Sequence, residues 1–286
     1  HLSIRRQRQM CIRDRDEIQH RKVNVINVLE ESPEVIPGVE TLEAGKLALE
    51  ALKSAVNDLK EGKIQALVTA PLNKSNINSE DLHFVGHTEF ITQAVGAKDS
   101  LMMMVDDALR VGLVTGHLPL SKVPQSITKE RVQQKATLFL KSLQEDFGIN
   151  KPKIAILGLN PHAGEDGLLG EEEEKVIKPA IRELKDQNNY VFGPYPADGF
   201  FGMMHQQKFD GVLAMYHDQG LIPFKSIAFS SGVNYTAGLP VIRTSPDHGT
   251  AYAIAGKNMA DDGSMRAALH LASDIIQLRQ SEEGES

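Results

Sequence analysis

Three histidines, His117, His162 and His217, each stand one to a few residues past a short apolar run rich in Val, Ile or Leu. Neutral imidazoles at equivalent topological positions past successive strands can converge on one divalent ion. Three nitrogens then leave coordination positions open for water or substrate, as a catalytic site needs, whereas a closed structural site more often recruits thiolates. The chain's one cysteine, Cys11, lies outside this set. His248 fits the same pattern, and spacing alone does not choose three of the four. Taken singly, each of these histidines is more often a hydrogen-bonded loop residue than a ligand; the repetition gives the metal reading its weight. His1, His20, His83, His205 and His270 have no such context and read as surface or structural.

A second group offers positive charge. Lys74, Lys225 and Arg243, with the donors Asn234, His87 and Thr88, fall in the same kind of segment. Arginine presents a planar fork to phosphate or carboxylate, and lysine a point charge. An acidic protein needs such local charge to hold an anion, so a phosphorylated or carboxylated substrate is expected; scattered loop salt bridges are the alternative.

These residues need elements to place them. The strand candidates Ala66–Thr69, Arg110–Thr115, Lys153–Leu157, Gly211–Met215 and Pro240–Thr244 are nearly continuous apolar runs, expected of strands covered on both faces. Between them, Glu43–Lys60 carries Ala44, Leu47, Ala48, Ala51, Leu52, Ala55, Val56 and Leu59 at helical spacing. Thr128 can cap a second helix, with Val132, Ala136, Phe139, Leu140 and Leu143 on one face and a stop near Gly148. The alternation predicts an α/β fold with parallel strands. Each strand runs directly into a polar cluster, and parallel strands would bring all the clusters to one carboxyl edge, the expected site. The acidic run Glu171–Glu174 reads as a solvated helix start, favoured there by the helix dipole.

The totals narrow the classes. With 286 residues and 41% hydrophobic content, the chain can bury a substantial core. No apolar run approaches the roughly 20 residues that cross a bilayer, and no secretory signal is legible, so a cytoplasmic protein is expected. A formal charge of −7 without a basic stripe argues against nucleic acid. Residues 1–15 stand apart: Ile4 to Arg15 has neither apolar period nor caps and reads as an adapter-derived, non-native segment, leaving 16–286 as one interwoven unit. Neither a Gly-x-Gly-x-x-Gly turn nor a Walker-type loop is present, so a Rossmann unit of the usual kind is not supported.

The segments Gly86-His87-Thr88-Glu89, His117-Leu118-Pro119-Leu120, Asn160-Pro161-His162-Ala163-Gly164-Glu165, Pro196-Ala197-Asp198, Tyr216-His217-Asp218-Gln219-Gly220-Leu221, Gly232-Val233-Asn234 and Arg243-Thr244-Ser245-Pro246-Asp247-His248-Gly249-Thr250-Ala251, in that order, resemble the 4-hydroxythreonine-4-phosphate dehydrogenase family of vitamin B6 synthesis. The resemblance runs from about Val23 to the C-terminal helix. It implies a fold like isocitrate and isopropylmalate dehydrogenases, two interwoven α/β lobes around a cleft, and a homodimer with the metal site at the subunit interface. It implies His117, His162 and His217 as ligands of one divalent ion (Zn, Mg or Co), and Asp198 and Asp218 as acid/base carboxylates. Substrate contacts would be His87, Thr88, Lys225, Asn234 and Arg243. NAD, or NADP, would lie against His248, Gly249, Thr250, Ala251 and Asn258, which accounts for the missing Rossmann glycines.

The implied reaction is oxidation of 4-phosphohydroxy-L-threonine at C3, then decarboxylation to 3-amino-2-oxopropyl phosphate. One departure is plain. The family's opening strand and Gly-Asp-Pro-x-Gly-Ile-Gly-Pro-Glu loop have no counterpart here, so a gap in the sheet and a weakly active or unstable chain are expected. The alternatives are a dehydrogenase for a phosphorylated sugar acid, such as 4-phospho-D-threonate or 4-phosphoerythronate, and more distantly a metal-dependent hydrolase or lyase.

Overall fold

The computed structural model describes residues 9–12, 18–19, 21–29, 34, 36–77 and 86–285. The chain begins with β1 (Gln9–Ile12), β2 (Val23–Ile26), α1 (Leu42–Lys60), β3 (Ala66–Val68), α2 (Lys74–Ile77) and α3 (His87–Ala94). It continues through β4 (Leu101–Val105), β5 (Arg110–Leu113), α4 (Val123–Ser126), α5 (Lys129–Glu145), β6 (Lys153–Leu157), α6 (Lys178–Asp186), β7 (Tyr190–Tyr195) and α7 (Ala197–Gly202). Then come β8 (Gly211–Ala214), α8 (His217–Ile227), β9 (Val233–Ala237), β10 (Ile242–Pro246) and α9 (Gly263–Glu285). Both helices expected from periodicity are present. Thr41 and Thr128 cap α1 and α5 by accepting from the N–H groups of Ala44 and Arg131, and α5 ends at Glu145 with Asp146 as its C-cap, two residues before Gly148.

Eight strands form one sheet in the order β3-β10-β9-β4-β5-β8-β6-β7, and β1 pairs with β2 in a separate parallel ribbon. That ribbon includes Gln9–Ile12, within the segment expected to be foreign; residues 1–8 and 13–15 lie outside those described. Strands β4, β7 and β9 escaped the sequence reading. The near-continuous apolar runs are explained by a covered sheet whose faces alternate. Leu101, Met103, Val105, Ile154, Ile156, Leu213 and Met215 face the core under α5, α6 and α9. Met104, Ala155, Leu157, Val212 and Ala214 face the one under α7 and α8. A third cluster packs α1 and α3 beside β3 through Leu49, Leu52, Val56, Leu67 and Ile91.

The expectation of one carboxyl edge does not hold. β10 is parallel to β3 but antiparallel to β9, β9 is antiparallel to β4, and β4 is antiparallel to β5. β5, β8, β6 and β7 are parallel to one another. The chain therefore runs one way in β3 and β10 and the opposite way in β5, β8, β6 and β7, and the two sets end at opposite edges. The antiparallel pair β4 and β9, invisible to a reading based on βαβ alternation, makes this inversion.

Candidate active site

Period-2 alternation places Arg243 and Ser245 of β10 and Asn234 and Thr236 of β9 on one sheet face, the face against which α8 lies farther along. Arg243 is 3% exposed. Its Nη2 donates to Thr69 Oγ1 at 2.9 Å and its Nη1 to Thr236 Oγ1 at 3.3 Å, while Nε has no partner. Among the described residues no carboxylate pairs with it. Burial pulls this guanidinium down from its ordinary 12.5 to about 10, although Glu89 opposes the shift. A buried cation held only by hydroxyls, next to the equally unpartnered buried Oδ1 of Asn234, is a seat shaped for an anion and a hydrogen-bond donor.

His87 opens α3 beside this seat. Burial first, then the charges of Arg243 and Lys74, hold its pKa at about 4, so at neutral pH it takes part as a neutral imidazole. The positive charge is left to Arg243 and Lys74. Thr88 follows on the same first turn, half-buried. A Cβ at Gly86, just before it, would come within 2.7 Å of Glu89 Oε2 and 3.4 Å of Lys74 Nζ, so those two side-chain ends would have to shift.

Two of the expected ligands meet. His117, after β5, and His217, at the start of α8 after β8, have ring centroids 5.4 Å apart. Burial, and then Lys74, push the His117 pKa below its ordinary value, which favours the neutral form a metal requires. Thr115 fixes this corner: its N–H and hydroxyl both donate to the Met215 carbonyl, at 3.1 and 2.7 Å. His217 Nδ1 lies 2.7 Å from Asp218 Oδ1, so Asp218 orients that ring. His162 follows β6, the strand next to β8, but no group of three or more His, Cys, Asp or Glu side chains is gathered for a metal among the described residues. The donor chemistry of the His117 and His217 pair fits a divalent ion; closure of the set by His162 is not present within one chain.

His162 sits on a turn of unusual hand. His162, Ala163, Gly164, Glu165 and Asp166 all have positive φ, from 43° to 81°. At about 1 kcal/mol or more for each non-glycine residue, the turn stores on the order of 4 kcal/mol. Its anchor overturns the solvated reading of Glu171–Glu174: Glu171 and Glu174 are exposed, but Glu173 is 0% exposed. The backbone N–H groups of Leu159 and Asn160 donate to Glu173 Oε1 at 2.7 and 2.8 Å, and Asn160 Nδ2 to Oε2 at 2.9 Å. Gln219 adds a staple between strand ends, donating to the Gly158 carbonyl at 2.6 Å and accepting from Met215 N–H at 2.7 Å. Neither Glu173 nor Gln219 stood out in the sequence as a site residue, although Gln219 lies within the Tyr216–Leu221 segment that carries the family resemblance.

At the other edge Lys225, near the end of α8, pairs with Asp247 after β10 at 2.9 Å and donates to the Asp247 carbonyl at 3.2 Å. Burial raises the Asp247 pKa, against the lowering effect of Lys225. Ser264 locks that corner, donating to the Gly232 carbonyl at 2.6 Å and accepting from the Asp247 N–H at 2.9 Å. His248, Gly249, Thr250, Ala251 and Asn258 are exposed on the following loop, with Ala251 and Asn258 left-handed at φ 53° and 55°. Asp198 is exposed in the first turn of α7 and takes no part in the clusters described. His205 packs edge-on to Phe200, and His270 is exposed on α9; His1, His20 and His83 lie outside the described residues. A groove of about 810 Å³ between Lys98, Lys141 and Arg279 contains none of these residues.

Fold and site together define a class: a mixed α/β enzyme with a buried arginine held by hydroxyls and a pair of histidines at strand ends, and its named relatives are dehydrogenases. Residues 2–272 match the family model described as pyridoxal phosphate biosynthetic protein PdxA. The chain belongs to that family. It is 48% identical over 268 residues to a 4-hydroxythreonine-4-phosphate dehydrogenase of Bacteroides thetaiotaomicron, covering 93% of this chain and 74% of the relative. A protein of the same name from Sulfurihydrogenibium is 44% identical over 85% of this chain and 75% of its own. The crystal structure of 4-hydroxythreonine-4-phosphate dehydrogenase from Klebsiella pneumoniae superposes with a TM-score of 0.81 at 35% identity, over 94% of this chain and 83% of that one. A terephthalate 1,2-cis-dihydrodiol dehydrogenase from Burkholderia xenovorans is similar at a TM-score of 0.63 and 28% identity, over 88% and 80%. No described helix is long and apolar enough to cross a membrane.

Proposed function

We propose that this chain oxidises 4-phosphohydroxy-L-threonine at C3 with NAD, and that the resulting β-keto acid loses CO2 to give 3-amino-2-oxopropyl phosphate. The observation that carries the proposal is Arg243, a buried cation with no carboxylate partner among the described residues, set beside Asn234 in a chain of this family. Arg243, Asn234, Thr88 and neutral His87 bind the anionic substrate, and Lys225, steered by Asp247, closes over it. Binding energy gathered there, away from C3, orients the reacting bond. NAD would be held along His248, Gly249, Thr250, Ala251 and Asn258 and would supply the hydride acceptor for C3, while a carboxylate, Asp218 or Asp198, takes the hydroxyl proton. Asp218 is suited to this role because it already touches the His217 ring at 2.7 Å. His117, His162 and His217 would hold a divalent ion, which would supply Lewis acidity at the substrate oxygen. Two copies of the chain form the working enzyme, with this metal site at their interface.

The test is NADH formation at 340 nm with 4-phosphohydroxy-L-threonine, NAD and a divalent metal, with His162→Ala alongside. Turnover that the substitution abolishes is expected. Turnover of 4-phospho-D-threonate alone moves the protein to sugar acids, and silence with every phosphorylated hydroxy acid overturns the dehydrogenase reading.

A further inference from the structure

We infer that Glu173 is a positioning residue that holds the left-handed turn carrying His162, and that it sets divalent-metal affinity without touching the metal. The inference rests on the proposed ligation by His162. Glu173 opens a π-helical turn, Glu173–Ile177, that leads into α6, and such turns recur at functional sites. Its carboxylate is fully buried, and among the described residues it has no cationic partner. It is held by three N–H donors alone, two of them backbone groups at the end of β6. A buried carboxylate without a counter-ion is costly, and an apolar side chain would fill the same space more cheaply if packing were its role.

The neighbouring residues fit the carboxylate rather than generic bulk. A Cβ at Gly164 would stand 2.6 Å from Glu173 Oε2, and one at Gly158 would stand 3.0 Å from Oε1. Both glycines leave room for this group to reach inside the turn. Asn160 joins the two sides, its Nδ2 donating to Glu173 Oε2 and, at 2.7 Å, to Glu172 Oε2. His162 lies two residues farther on, and His162, Ala163, Glu165 and Asp166 hold a hand that L residues disfavour. Local preference therefore drives this segment away from its conformation, and the bonds to Glu173 fix where it starts. Without them the Leu159 and Asn160 N–H groups lose their partners, and the turn is free to rewind and carry His162 with it.

Glu173→Gln keeps the volume but puts an amide donor where the site offers only donors. The experiment is Co2+ titration of the full chain, followed by the visible absorbance of bound cobalt, with circular dichroism melting of the same samples. Wild type, Glu173→Gln, Asn160→Ala and His162→Ala are compared. We expect Glu173→Gln to melt within a few degrees of wild type yet bind Co2+ about 10 to 100-fold more weakly, the range for outer residues of a metal site, with an altered spectrum. Asn160→Ala, which keeps both backbone bonds, is expected to weaken binding several-fold. Folded Glu173→Gln with wild-type affinity and spectrum overturns the inference; should that variant not fold, wild-type affinity in Asn160→Ala does so. His162→Ala separates the two failures. If it still binds Co2+ like wild type, the ligand assignment itself falls.

Discussion

Replacing Arg243 with methionine distinguishes an anion seat from a structural ion pair. The folded chain holds this cation at a pKa of about 10 against an ordinary 12.5, so keeping it charged costs about 3 kcal/mol at 1.36 kcal/mol per unit. Methionine removes that cost at similar volume and forfeits two hydrogen bonds, to Thr69 and Thr236, at about 1 kcal/mol each. The two effects nearly cancel, and stability without ligand should stay within about 1 kcal/mol of wild type. Breaking a buried ion pair would instead cost about 3–5 kcal/mol, because a carboxylate would be left unpaired. Substrate binding should behave in the opposite way. A charge-assisted contact contributes about 1.5–3 kcal/mol, so affinity should fall on the order of 10 to 100-fold. Urea unfolding with and without 4-phosphohydroxy-L-threonine measures both quantities. Destabilisation by 3 kcal/mol or more, with undiminished stabilisation by the substrate, would refute the reasoning.

His87 titrates at about 4 when folded and near 6.5 when unfolded, so between these values the unfolded chain binds the extra proton. Its contribution to stability is complete above pH 6.5 and is lost as pH falls towards 4, up to about 3 kcal/mol. His87→Asn should flatten that part of the stability curve, measured by urea midpoints at pH 4.5 and 7; an unchanged acid slope would reassign the effect. Tyr235→Phe removes a hydroxyl that donates to Asp146 at 2.6 Å, while Ser142 and Arg279 still donate to the same carboxylate. A loss of about 1–2 kcal/mol is expected, seen as a lower melting temperature with kcat unchanged, since Tyr235 faces the core under α5; a fall in kcat would tie that network to the site.

The legible part of the fold was whatever obeyed a local period. The α1 and α5 stripes, the Thr128 cap and the five strand runs follow from burying one helix face or two sheet faces. Strand β4, Leu101-Met102-Met103-Met104-Val105, was missed because methionine carries little strand preference, and β9 because Val233-Asn234-Tyr235-Thr236-Ala237 mixes polar and apolar types. Without them the direction of β10 relative to β5 could not be inferred, and the one-edge site was the wrong geometry. At the residue level, the histidines and cations declare themselves by type. Glu173 did not, because an acidic run at a helix start is ordinarily solvated, and only the turn folded over it shows which of four glutamates points inward.

The inverted strands also explain why α8 joins two separate corners, meeting His117 at one end and Asp247 at the other. If β10 and β5 end at opposite edges, residues following them cannot meet at one edge, and something must span the sheet. α8 lies across the face covering β5 and β8, with His217 at its first position and Lys225 eight residues on, about 12 Å at 1.5 Å per residue. Its start meets His117 after β5, and its end meets Asp247 after β10. The helix is seated by Leu221 and Phe224 and by Gly220, where a Cβ would approach Val111 Cγ1 to 2.8 Å. A bulkier residue at position 220 would lift the helix from the sheet and displace the histidine pair and the lysine together. One element thus sets the spacing between the histidine corner and the Lys225–Asp247 corner.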